Sequence, residues 1–176
     1  MSSLSQPEPL SLAQPLPGAT IGQSVSRFWR KYATFTGRAS RSEYWWWYLV
    51  AVVVNVVLSS LGRLDGAAGQ TFQTLSVIWG VAIFVPTLAL LWRRLHDTGR
   101  SGLWALAPIV LAAVGGVLLV VGAFALHVAS AGEGSVVPGG IVFALAGIAL
   151  VASLVIVFVL TLLPSHPSGA RFDRRY

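Results

Sequence analysis

Four apolar stretches set the pattern of the chain. They run from about Tyr44 to Leu61, Leu75 to Trp92, Leu103 to Leu126 and Gly140 to Leu163, and none contains Asp, Glu, Lys or Arg. Each is close to the roughly 20 residues that cross a hydrocarbon core about 30 Å thick. Backbone in lipid must satisfy its own hydrogen bonds, so each stretch is read as a helix. Within the spans, Pro86 removes a backbone donor and predicts a kink. Asn55 predicts an amide bonded to a neighbouring helix, and Ala112-x-x-x-Gly116 and Gly140-x-x-x-Ala144 predict close helix packing.

The polar segments carry a second pattern. Val25, Phe28, Trp29 and Tyr32 recur at i, i+3, i+4 and i+7, with Arg27, Arg30 and Lys31 between them. This predicts an amphipathic helix over 25–36, its aromatic face in the membrane interface and its basic face in water. Residues 1–24 lack Lys and Arg and hold Pro7, Pro9, Pro15 and Pro17, which predicts a disordered tail rather than a signal peptide. Ser40-Arg41-Ser42-Glu43 predicts a capping box at the start of the first span. Tyr44 to Tyr48, all aromatic, place that start at headgroup level. The expected fold class is an all-α membrane protein. A four-transmembrane-helix bundle over 37–166 follows the interfacial helix, and a basic tail spans 167–176.

Composition agrees: 55% of the 176 residues are hydrophobic and 10% charged, too few charges for the surface of a soluble domain. Mean hydropathy is +0.74. The net charge of +6 does not imply nucleic acid, because the basic residues flank spans instead of covering a face. Arg27, Arg30, Lys31, Arg38 and Arg41 precede the first span, Arg93, Arg94 and Arg100 separate the second and third, and Arg171, Arg174 and Arg175 follow the fourth. The other two loops hold only Arg63. This asymmetry predicts a multi-pass protein of the bacterial inner membrane with both termini cytoplasmic. The chain has no cysteine, and His96, His127 and His166 are far apart. Neither a disulfide nor a metal-ligand spacing appears, and no cofactor is expected.

Two clusters hold the unusual residues. One is Phe35-Thr36-Gly37-Arg38-Ala39-Ser40-Arg41-Ser42-Glu43-Tyr44-Trp45-Trp46. The other is Pro86 followed by Leu91-Trp92-Arg93-Arg94-Leu95-His96-Asp97-Thr98-Gly99-Arg100-Ser101-Gly102-Leu103-Trp104. At these residues the chain resembles the DUF805 family of small bacterial inner-membrane proteins, with its F-x-G-R-x-x-R-x-E-[YF]-W-W and R-R-L-H-D-x-G-x-S-G-W-W patterns. The tail from Pro164 to Asp173 resembles the family's P-S-x-P-x-x-N-R-[FY]-G ending, with Ala170 and Asp173 departing from it. The resemblance implies fold and location and supplies no reaction.

Arg38, Arg41, Arg93, Arg94, His96 and Arg100 are the candidates for binding an anion or a lipid headgroup, since a guanidinium presents a planar fork of donors to phosphate. Glu43 and Asp97 are the candidates for structural ion pairs. Glu43 is expected to meet Arg93 or Arg94, and Asp97 to orient His96 or hold Arg100. His96 and Asp97 are the only acid–base candidates, and no nucleophile elbow surrounds Ser40 or Ser101, so no catalysis is expected. The expected function is a non-catalytic membrane protein whose cluster contacts anionic phospholipid or a protein partner, with homo-oligomers as a further form of assembly. A small transporter or channel component is the alternative, and a membrane enzyme acting on an anionic lipid the third class.

Overall fold

In the computed structural model, residues 12–132 and 135–173 are described. All elements among them are helical: α1 (Ile21–Arg30), α2 (Arg41–Leu61), α3 (Gly66–Asp97), α4 (Leu106–Ser130) and α5 (Val136–Leu162). Short 3-10 helices cover Gly102–Ala105 and Pro167–Phe172. Four helices are long and apolar enough to cross a membrane. The described chain forms two compact units, one holding the residues up to Arg100 together with those from Pro164 onward, the other Ser101–Leu163.

In the first unit, α2 and α3 form a hairpin and α1 packs on both. The capping box at α2 is present as expected, with the Ser40 hydroxyl accepting from the Glu43 amide and the Glu43 carboxylate accepting from the Ser40 amide. A second capping box, Thr20 with Gln23, starts α1 four residues before the expected position. Helix α3 is longer than its apolar core at both ends. Its 32 residues span about 48 Å, because hydropathy marks the lipid-facing part of a helix and not where its hydrogen bonds stop. The segment Arg93–Asp97, expected in a loop, is therefore the last turn of α3.

The helix continues through Pro86. Proline cannot donate to the carbonyl four residues back, which is that of Ala82. The Tyr32 hydroxyl donates to this carbonyl at 2.7 Å. A side chain from the turn after α1 thus supplies the missing donor, one of the ways proline is accommodated inside a spanning helix.

Helix α1 departs from the expected division of faces at Arg27, Phe28 and Lys31. Its buried stripe is Ser24, Arg27 and Phe28, continued by Lys31. Phe28 stacks on Trp47, while Trp29 and Tyr32 are exposed. Arg27 points inward onto the buried carboxylate of Glu43, and Lys31 is buried on the same stripe. Of the aromatic run on α2, Tyr44 and Trp47 are buried, and Trp46 and Tyr48 are exposed. Residues 12–20 are not a free tail. The Leu16 amide donates to Glu43 at 2.9 Å and the Ala19 amide to Ser42 Oγ at 3.0 Å, so the prolines shape a docked strap instead. Residues 1–11 of the expected tail lie outside the described residues.

In the second unit, α4 and α5 pair through small residues seven apart. Pro108, Gly115 and Gly122 are buried on α4, and Gly139, Ala146 and Ser153 on α5. A seven-residue repeat keeps one seam facing its partner. A methyl group on Gly122 would lie 2.7 Å from the Phe143 amide nitrogen, whereas Gly116 and Gly140 face open space. The packed glycines thus stand one position before those of the expected small-x-x-x-small pairs, and a spacing of seven replaces the spacing of four. Ser153 Oγ donates to the Pro108 carbonyl at 2.8 Å. Asn55 also differs from expectation: it is exposed and donates to Ala51 of its own helix at 2.8 Å.

Candidate functional site

The two sequence clusters meet within the first unit, around the start of α2 and the end of α3. The Arg27 Nε donates to Glu43 Oε1, and its Nη2 donates to the carbonyls of Leu12 and Gln14. Glu43 Oε2 accepts the amides of Leu16 and of Ser40, the latter at 2.8 Å. The expected partnership of Glu43 with Arg93 or Arg94 is therefore replaced by one with Arg27, a residue of α1 that faces the same buried end of α2.

Asp97 is fully buried and pairs with Arg94 at 2.6 Å, one turn earlier on α3. The Ser165 hydroxyl donates to the same carboxylate oxygen. The other oxygen has the Arg38 guanidinium 3.9 Å away. Arg38 forms a two-point pair with Asp173, with Nε 2.9 Å from Oδ1. That hydrogen bond holds the Arg38 pKa above its ordinary value. Asp173, which departs from the family's tail pattern, thereby joins residues 135 apart in sequence.

His96 stands apart from Asp97. Its Nδ1 lies 3.1 Å from the Gly37 carbonyl, and its ring stacks on Phe172 at 3.9 Å between centroids. The Gly37 amide donates to the Phe172 carbonyl at 3.0 Å, and the Arg38 amide to the Ala13 carbonyl at 2.8 Å. Gly37 has φ +79, and a methyl group there would lie 2.7 Å from the Ala13 carbonyl oxygen. The glycine is required by both its conformation and its neighbours. Gly99 has φ +77 and packs against Ser168 and His166 of the tail.

A cleft of about 430 Å³ opens on this end, lined by Arg38, Ser40, Arg41, Ser42, Asp97 and Ser165, with Pro15, Pro17 and Pro164 among its walls. Arg41 is exposed at the first position of α2. Arg93 is buried and donates to the Ala89 carbonyl at 3.1 Å. Among the candidates, Arg38 and Arg41 line the cleft, Arg93, Arg94 and His96 are buried beneath this end, and Arg100 is partly exposed. No group of three or more His, Cys, Asp or Glu that could hold a metal ion occurs among the described residues.

The description "Protein of unknown function (DUF805)" matches residues 32–174. The chain belongs to the DUF805 family. Within curated proteins of Escherichia coli K12 it is 40% identical over 77 residues to inner membrane protein YhaI, a segment covering 44% of this chain and 63% of YhaI. It is 38% identical over 84 residues to inner membrane protein YhaH, covering 46% of this chain and 68% of YhaH. It is 35% identical over 79 residues to the uncharacterized protein YiiR, covering 44% and 50%. No solved structure matches. The DUF805 match begins at residue 32, so the strap and the partners Arg27 and Lys31 lie before it.

Sequence reading located every charged residue of the DUF805 clusters but not Arg27, Lys31, Ser165 or Asp173 as members of the same site. The signal for Arg27 and Lys31 was their spacing from Ser24, at i+3 and i+7. A polar stripe of that period beside an aromatic one leaves two possible inward faces, and only the position of Glu43 decides between them.

Proposed function

We propose that the arginine-rich end faces the cytoplasm and holds the phosphate of an anionic phospholipid in the cleft beside Arg38, Ser40 and Arg41. One observation carries this reading. Basic side chains outnumber carboxylates at this end: Arg27, Lys31, Arg38, Arg41, Arg93, Arg94 and Arg171 stand against Glu43, Asp97 and Asp173. The cleft on the same end offers guanidinium and hydroxyl donors together, which suits a phosphate. The excess of arginine on the segments flanking the spans supports a cytoplasmic position, where anionic lipids concentrate.

The reading is non-catalytic. His96 is occupied by the Gly37 carbonyl and by stacking on Phe172, and Asp97 by Arg94 and Ser165. Groups so engaged hold helix ends together.

Native mass spectrometry of the purified protein tests the proposal after incubation with phosphatidylglycerol or phosphatidylcholine. Several-fold preferential retention of phosphatidylglycerol is expected, reduced to the phosphatidylcholine level by Arg41→Gln. Equal retention of both lipids by the wild type would refute a headgroup site. Undiminished preference in Arg41→Gln would place it elsewhere.

A further inference from the structure

In the first unit, two buried cationic side chains carry hydrogen-bond donors that no atom of the described residues accepts. Lys31 is 3% exposed and Arg93 1%. Lys31 Nζ and one terminal nitrogen of Arg93 are without hydrogen-bond partners. A buried donor left unpaired forfeits its hydration without compensation, and a buried charge does so at greater cost.

The surrounding charges do not supply the missing acceptor. From α1, Arg27 adds a third cation. From α2, Glu43 has both oxygens committed, to Arg27 and to the amides of Leu16 and Ser40. From the tail, Asp173 is held by Arg38. Three cations thus share one engaged carboxylate, with a second beyond it.

We infer that Lys31 and Arg93 together bind one small inorganic anion, chloride in its simplest form. Size separates this site from the cleft. Both donors lie below the surface, so a phosphate tethered to a glycerol backbone has no approach to them, and the occupant inferred is a monatomic ion. A water molecule would accept the same hydrogen bonds but leave the surplus positive charge uncompensated.

The site carries a pH signature. The Lys31 pKa is lowered to about 7, chiefly by burial and then by Arg27 and Arg93, with Glu43 and Asp173 pulling the other way. An anion between Lys31 and Arg93 favours the protonated amine, so anion and proton bind together. Above the Lys31 pKa the apparent affinity weakens about tenfold per pH unit, and below it the affinity levels off.

The test uses the full chain in lipid-free detergent, melted in chloride against gluconate at constant ionic strength, with chloride NMR line broadening as the direct readout. A saturable rise in Tm and broadening specific to chloride are expected, both stronger on the acid side of about pH 7 and both lost in Lys31→Met. Equal melting in the two salts without broadening overturns the inference, as does a full chloride response in Lys31→Met. If that variant does not fold, the wild-type pH series decides: an affinity that fails to strengthen as pH falls overturns the site. Phospholipid is absent throughout, so the outcome is independent of the headgroup proposal.

Discussion

Glu43 joins three segments through one carboxylate. One oxygen takes the Arg27 guanidinium and the other the amides of Leu16 and Ser40. Removing one member of a buried pair leaves the other charge unpaired and costs about 3–5 kcal/mol. Arg27→Gln and Glu43→Gln are each predicted to destabilise the protein in detergent, with the double variant costing clearly less than their sum. Glu43→Gln with Arg94→Gln is predicted to be additive, because Arg94 pairs with Asp97. Thermal melts of the five variants check both cycles, and coupling in the second with none in the first would reverse the assignment. Lys31 supplies a second residue-scale prediction. Its pKa falls from 10.5 to about 7 on folding, so between those values the unfolded chain binds more protons than the folded one. Stability is therefore predicted to rise with pH across that interval. The rise should shrink in Lys31→Met, as measured by chemical denaturation at several pH values in gluconate. The charged residues of the two clusters were legible in the sequence as members of the site, because carboxylates are few in this chain and the arginines gather at the ends of the spans; Arg27, Lys31 and Asp173 were not. The pairing of these charges was not legible either, since a carboxylate at a helix start can be reached from several directions.

At the scale of elements, the junction of α1 with α3 rests on a defect in α3. Pro86 leaves the Ala82 carbonyl without a helical donor, and Tyr32 donates to it at 2.7 Å. Tyr32→Phe is predicted to cost about 1 kcal/mol, the net value of a typical hydrogen bond. In a Pro86→Ala background the helix supplies its own donor, and the same change should become nearly neutral. A cycle showing equal costs in both backgrounds would remove this role from Tyr32. The α4–α5 pair gives a graded series. Gly122→Ala places a methyl group against the backbone of Phe143, which cannot step aside. Overpacking of this kind costs about 1–3 kcal/mol. Gly115→Ala meets only the Leu150 side chain and Ala146 carbonyl at 3.0–3.3 Å, and Gly116→Ala meets nothing. The order of stability loss is therefore Gly122 above Gly115 above Gly116. Gly116→Ala should be neutral or stabilising, since glycine disfavours a helix interior by roughly 0.5–1 kcal/mol relative to alanine. Thermal melts of the three variants read the order. The four long helices were legible from hydropathy alone. The contact faces of α4 and α5 were not, because glycine and alanine are common all round both helices and four-residue spacings arise at many positions. The seven-residue spacing of Gly115 with Gly122 and of Gly139, Ala146 and Ser153 was the better signal.

At the scale of the molecule, the first unit is assembled from distant parts of the chain. The strap from residue 12, the start of α2, the end of α3 and the tail after Pro164 all converge on one charged end. This convergence gives the flanking arginines a structural reason to be present as well as a topological one, so the orientation needs a test that does not rest on counting them. Helix α4 supplies one. Its 25 residues extend about 37 Å, more than the roughly 30 Å of hydrocarbon, so Ser101 before it and Ala131 after it lie on opposite sides of the membrane when it spans. The chain has no cysteine, and both positions are exposed, so Ser101→Cys and Ala131→Cys each introduce a single reporter. With the arginine-rich segments cytoplasmic, a membrane-impermeant thiol reagent applied to spheroplasts is predicted to label Ala131→Cys promptly. It should label Ser101→Cys only after the membrane is opened. The reverse pattern would put the charged end outside, where the headgroup proposal loses its supply of anionic lipid from the cytoplasmic leaflet. Prompt labelling of both positions would mean that α4 does not span, and the four-helix topology itself would have to be redrawn.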